Sequence, residues 1–196
     1  MDLVRNVLCL ATVLSSVSGA IAADKRINLA NKSDLAGTFE LGFCARPSPS
    51  SAKGWPGHAF VSFSQKSPEG ARTFSAIGHT VAPGVGLAKA GWSLFGSPVP
   101  GILKEENYTS VMEECLIVEV NKEDFDKALG MSKSPLEKAG LKISGPLLEV
   151  YVLGAEDCVA WMIGIANLIR PKGLKVPERK MAESPMPYMR RLVETR

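Results

Sequence analysis

The chain has 196 residues, of which 45% are hydrophobic, and its formal net charge is +3. This length can bury one sizeable core, and so small a charge does not support nucleic-acid binding. We therefore expect a single domain without a nucleic-acid partner. The basic residues concentrate late in the chain, between Arg170 and Lys180 and at Arg190-Arg191, which is typical of a solvated surface.

The first 22 residues resemble a cleavable secretory signal. Arg5 precedes an apolar run that ends in Ala20-Ile21-Ala22, the small-x-small pattern that signal peptidases accept. Serines and a glycine interrupt this run, which is short for a bilayer span. We predict a signal at residues 1–22 and one domain at 23–196. The protein would be secreted or periplasmic, with no stable membrane span after cleavage.

The secondary structure follows from hydrophobic periodicity and turn residues. Strands are predicted at 38–45, 59–65, 71–77, 115–120 and 147–153. A helix from Lys122, capped by Asn121, ends before Pro135, a buried helix covers about 158–169, and Ser184 opens a short C-terminal helix. Residues 81–101, rich in Gly and Pro, are expected to form a long packed loop. Strands followed by helices without regular alternation predict an α+β fold.

The two histidines of the chain, His58 and His79, lie at the far ends of a predicted hairpin. If residues 67–70 form its turn, Lys66 faces Ala71, and the pairing runs back until His58 faces His79. Residues that face each other across an antiparallel ladder have β-carbons roughly 5 Å apart. The prediction depends on the turn, because a one-residue slip would separate the two side chains.

Cys158 opens the predicted buried helix, where the helix dipole and free backbone N–H groups favour a thiolate. With His58 as base and His79 as the polar residue that orients it, Cys158 would be an activated nucleophile. Backbone N–H groups at the helix start would bind the oxyanion. Three alternatives stay open: a buried structural cysteine, two surface histidines, or a metal site completed by Asp157 or Cys158.

These residues resemble those of a known superfamily. Gly57-His58-Ala59-Phe60-Val61, the later His79 and Glu156-Asp157-Cys158 are similar to circularly permuted papain-like proteins. That group includes NlpC-type peptidases and lecithin:retinol-acyltransferase-like proteins, and the likeness covers residues 45–168 in element order. It implies a papain-like core, in which an antiparallel sheet packs on a buried cysteine-bearing helix. It also implies that Cys158 is the nucleophile, His58 the base and His79 the third polar residue.

One residue departs from the pattern of that superfamily. Many members have Asn before the cysteine, where this chain has Asp157. A negative charge beside a thiol disfavours the thiolate, although a carboxylate is a good helix cap. This residue is a reason to consider a scaffold without turnover.

We therefore expect an exported cysteine hydrolase or acyltransferase that acts on an amide or ester through a thioester, without metal or cofactor. Its substrate would be a peptide, such as peptidoglycan peptide if the source is bacterial, or a lipid acyl group. The alternative is an exported binding or inhibitor module on the same scaffold. An odd cysteine count after signal removal predicts one disulfide and one free thiol. We expect the disulfide to join Cys44 to Cys115, although either of them could instead pair with Cys158.

Overall fold

The computed structural model describes residues 25–31, 35–48, 56–106, 113–132 and 149–195, which form a mixed α+β fold. The strands are β1 (Lys25–Asn28), β2 (Thr38–Arg46), β3 (His58–Lys66), β4 (Arg72–Val81), β5 (Val99–Glu105), β6 (Glu114–Val120) and β7 (Glu149–Tyr151). The helices are α1 (Leu87–Trp92), α2 (Lys122–Met131), α3 (Cys158–Ile169) and α4 (Pro185–Glu194). The predicted signal at 1–22 lies outside the described residues.

The strands form one sheet in the order β1-β6-β2-β3-β4-β5-β7. Each neighbouring pair is antiparallel except β1 and β6, which run parallel. Strands β2 to β5 follow one another along the chain and lie side by side. The predicted antiparallel sheet is therefore confirmed, with one parallel strand added at its edge.

The main core lies between one face of the sheet and α3. Alternate residues of β2 and β3 point into it, as the two-residue period of a strand requires, and they meet the apolar side chains of α3. The buried members of this contact are Leu41, Phe43, Val61, Phe63, Val159, Met162, Ile165 and Ile169. Full burial of each large side chain stabilises the fold by about 1.5–3 kcal/mol. The helix is thereby held with its first residue, Cys158, close to the start of β3.

The prediction of an irregular loop over 81–101 is wrong in part. The segment contains α1, a 3-10 helix at Ser93–Phe95 and the start of β5. Buried Ser93 ties it to the body, because its Oγ donates to the carbonyl of Ala90 and accepts from the N–H of Leu153. Six helical residues rich in Gly and Ala show too little periodicity to be recognised beforehand.

The expected disulfide is present. Cys44 and Cys115 face each other across the ladder between β2 and β6, and their sulfurs are bonded. Cys158 is a free, buried thiol. The cross-link therefore joins two central strands and leaves the cysteine of α3 available for chemistry.

Removal of this disulfide should destabilise the fold without blocking its formation. The bond spans 71 residues of chain, and the loss of that restraint on the unfolded state costs about 2–4 kcal/mol. We expect the variant Cys44→Ala/Cys115→Ala to unfold at a lower urea concentration than the oxidised wild type. The wild type with reductant is the matched control and should shift in the same way, whereas the variant should not respond to reductant. Equal midpoints for all samples would contradict this expectation.

Candidate functional site

The β3–β4 hairpin differs from the prediction by one residue. Lys66 pairs with Arg72, not with Ala71, because Gly70 adopts a left-handed φ of 92° and adds a bulge after the turn. The N–H of Ser67 donates to the carbonyl of Ala71 and closes a five-residue loop. Every pair of the ladder moves by one position.

The shifted register separates the two histidines. The β3–β4 pairing ends at Val61 and Ile77, and His79 pairs instead with Leu103 of β5. The prediction that His58 faces His79 across the ladder is therefore wrong. His58, the first residue of β3, lies opposite Arg46 of β2.

Glu106, directly after β5, holds the ring of His58. Its Oε1 lies 3.1 Å from Nε2 of His58, and its Oε2 lies 2.7 Å from a guanidinium nitrogen of Arg46. The Arg46 guanidinium also lies over the ring of Phe60, which stacks beside His58. The carboxylate thus bridges a permanent cation and the imidazole, and it orients the ring.

The small size of Gly78 makes this contact possible. A β-carbon on Gly78 would lie 2.5 Å from Nε2 of His58 and 3.2 Å from Oε1 of Glu106. No side chain fits there unless the hydrogen bond between the two residues is displaced. Gly78 is thus part of the geometry of the site.

Cys158 is the second partner of His58. Burial lowers the pKa of His58, but hydrogen bonds and charge interactions with Cys158 and Glu106 outweigh it and raise the pKa from 6.5 to about 9. His58 is therefore an imidazolium at neutral pH. The thiol of Cys158 thus lies in hydrogen-bond contact with a positively charged ring.

The same interactions act on Glu106. Burial would raise the pKa of its carboxyl, but the hydrogen bond to His58 and the positive charges of His58, Arg46 and Lys104 hold the pKa below its usual value. At neutral pH the carboxylate is thus ionised and faces a protonated His58. Sequence analysis missed Glu106, because nothing distinguishes it from its neighbour Glu105 until the strands are paired.

His79 lies buried on β4 and packs edge-on against Tyr151, with 5.4 Å between ring centroids. Tyr151 lines the same pocket as Cys158. Burial, followed by the charges of Cys158 and Asp157, raises the pKa of Tyr151. The structure thus brings Cys158 and His58 together, and it gives Glu106, not His79, the hydrogen bond to His58.

Asp157 caps the helix that begins at Cys158. Its carboxylate accepts from the N–H groups of Val159 and Ala160, at 3.0 and 3.1 Å, and from that of Gly154 at 2.7 Å. These contacts fix the first turn of α3 and therefore the position of the thiol.

A pocket opens beside Cys158 and has largely apolar walls. Its apolar lining residues are Pro56, Leu94, Tyr151, Leu153, Ala182 and Pro185. Two exposed aromatic side chains near Leu94 in the chain, Trp92 and Phe95, pack against each other with 5.4 Å between ring centroids. The pocket can receive an apolar group whose polar end meets the thiol.

Two structural features are absent from the described part of the chain. It contains no group of three His, Cys, Asp or Glu side chains arranged to hold a metal ion. No helix in it is long and apolar enough to cross a membrane.

Comparison with protein-family models, curated proteins and solved structures yields no match to this chain. The likeness to circularly permuted papain-like proteins therefore depends on the residues of the site and on the order of the elements.

Substitution of Gly78 should lower the reactivity of the Cys158 thiol by displacing His58. In Gly78→Ala the new methyl group displaces His58 from Glu106, so we expect alkylation of Cys158 at pH 7 to slow on the order of tenfold to a hundredfold. Gly91→Ala in α1 is the matched control, because a β-carbon there meets open space. Iodoacetamide labelling followed by peptide mass mapping measures both rates. Equal rates in the two variants would show that Gly78 does not position His58.

Proposed function

We propose that the protein is a cysteine-dependent hydrolase or acyltransferase with a papain-like core in circularly permuted order. The observation that carries the proposal is the contact of Cys158, at the start of a buried helix, with His58, whose ring is held by Glu106. Cys158 and His58 are the catalytic residues of this proposal, and Glu106 is a positioning residue that acts through His58.

The geometry supports acyl transfer through a thioester. The thiolate of Cys158 attacks the carbonyl carbon of an amide or ester, and His58 gives its proton to the leaving amine or alcohol as that bond breaks. Water or an acceptor hydroxyl then gives a proton to neutral His58 and attacks the thioester. The thiolate leaves, and His58 is again an imidazolium. Nε2 of His58 faces Glu106, which leaves Nδ1 for proton exchange with the thiol.

The start of α3 supplies the oxyanion donor. Two of its N–H groups, those of Val159 and Ala160, are bonded to Asp157. We assign the N–H of Cys158 itself to the developing oxyanion. A donor fixed by the helix requires no reorganisation during the reaction.

The pocket favours an uncharged acyl portion. Its charged residues are already paired: Asp157 with Arg179, and Glu183 with Arg191. The remaining surface is mostly apolar. An apolar peptide side chain or a lipid acyl chain fits this environment better than a carboxylate does. The disulfide and the signal-like first 22 residues support action in an oxidising compartment outside the cytoplasm.

Alkylation across pH tests the proposal. The oxidised protein is treated with iodoacetamide between pH 5 and 10, and labelled peptides are mapped by mass. We expect Cys158 to react below the usual range of a free thiol, about pH 8.5, and His58→Ala to shift its reaction to higher pH. Burst release of p-nitrophenol from an acyl ester, lost in Cys158→Ser, would establish the thioester. If Cys158 stays inert until the protein unfolds, the chain is a binding module on this scaffold.

The upper pH limit of the reaction should depend on Glu106. The thiolate–imidazolium pair persists below the raised pKa of His58 and is lost as pH rises through about 9. Glu106→Gln removes one of the causes of that raised pKa, so the alkaline limb of the ester-hydrolysis profile should move to lower pH. Glu105→Gln, an exposed neighbour on β5, is the matched control and should leave the limb in place. Identical limbs for both variants would exclude the assigned role of Glu106.

A further inference from the structure

Arg179 forms a two-pronged ion pair with Asp157, the residue before the nucleophile. Its Nη1 and Nη2 lie 2.7 and 2.8 Å from the two carboxylate oxygens. The carboxylate of Asp157 is 1% exposed and the side chain of Arg179 13% exposed. Both residues line the pocket that contains Cys158.

The carboxylate of Asp157 acts as an acceptor at both oxygens. One oxygen accepts from the helix N–H groups of Val159 and Ala160 and from Arg179, and the other accepts from Gly154 and Arg179. A set of donors alone is the environment of an ionised carboxylate. A negative charge therefore lies next to the thiol that must ionise.

A like charge next to a thiol disfavours the thiolate unless a cation compensates for it. The charges of Cys158, Asp157 and Arg179 all affect the pKa of one neighbour, Tyr151. Burial raises the pKa of Tyr151 most, the charges of Cys158 and Asp157 raise it further, and that of Arg179 lowers it. The guanidinium thus opposes Asp157 inside the pocket.

We propose that Arg179 is a positioning residue that neutralises Asp157, so that an aspartate can cap the nucleophile's helix while Cys158 remains a thiolate. The inference depends on the proposed function, since it explains how that thiolate persists. It also accounts for the departure from Asn at this position. An Asn cap carries no charge and requires no partner cation.

The cation is held in place and is not offered to a substrate. The Nε and Nη2 of Arg179 also donate to the carbonyl of Glu183, at 3.2 and 2.8 Å. The carboxylate of Glu183 is bound in turn by Arg191 of α4, at 2.9 and 2.6 Å. The C-terminal helix is therefore connected through these residues to the cap of α3.

Several titratable groups surround the thiol and must be considered in the test. His58 and Tyr151 face it from β3 and β7, and Asp157 and Arg179 face it from either side of the pocket. Glu106 acts through His58, Glu183 through Arg179, and His79 through Tyr151. Each single variant should therefore change one charge and leave the other groups intact, and a double variant should change only the two charges of the ion pair.

The pH midpoint of Cys158 alkylation measures the effect without a substrate. We expect Arg179→Gln to raise the midpoint by about one unit, which makes the reaction roughly tenfold slower below it. Arg179→Lys keeps the charge and should stay near the wild-type midpoint. Asp157→Asn should lower the midpoint, because Arg179 then has no counter-charge. Asp157→Asn/Arg179→Gln should return it to the wild-type value, since both charges are gone.

The outcomes separate this inference from the proposed function. If wild-type Cys158 is inert, both fail. If the wild type reacts as expected but Arg179→Gln leaves the midpoint unchanged, or shifts it as much as Arg179→Lys, only the role of Arg179 fails. Circular dichroism checks the folding of each variant. If Arg179→Gln does not fold, Asp157→Asn decides: a lowered midpoint supports the inference, and an unchanged or raised one overturns it.

Discussion

The packing of α3 against the sheet is the constraint on which the candidate site depends. Because the apolar side chains of α3 are buried against the sheet, with β3 and β4 nearest, the position of the helix is fixed by close packing. Its N-terminus must therefore lie at the sheet end where β3 begins. The core thus brings together Cys158 and His58, which are 100 positions apart in the chain.

Two polar networks complete this arrangement, one on each side of the thiol. Arg46, Glu106 and His58 form the first, along the ends of β2, β5 and β3. The second runs from Asp157 to Arg179, Glu183 and Arg191. Such networks are expensive to desolvate, but when every member has a partner they specify a single geometry. The first network reaches Cys158 through His58, and the second reaches the start of its helix through Asp157.

Sequence analysis predicted the local features of the site and missed those set by tertiary structure. Cys158 at a helix start follows from periodicity. The prediction that the two histidines face each other failed because Gly70, in a left-handed conformation, adds a residue to the turn. A register shift of one residue turns the side chains of a strand to the opposite face. Glu106 follows β5 and Arg179 follows α3 in the chain, and the side chains that they contact are known only from the fold. In the sequence alone Asp157 counted against catalysis. In the structure its negative charge is paired with Arg179.

The placement of charges relates both networks to the thiol of Cys158. In the first network Arg46 and protonated His58 are positive and Glu106 is negative, which leaves one positive charge beside the thiol. In the second network the two carboxylates and the two guanidinium groups cancel. Transfer of the thiol proton to His58 creates both charges together and does not change the total charge of the site. The two networks therefore act through the placement of their charges around His58 and Asp157. Glu106 stabilises the imidazolium of His58 by a hydrogen bond and an opposite charge, and Arg179 pairs with the carboxylate of Asp157 beside the thiol.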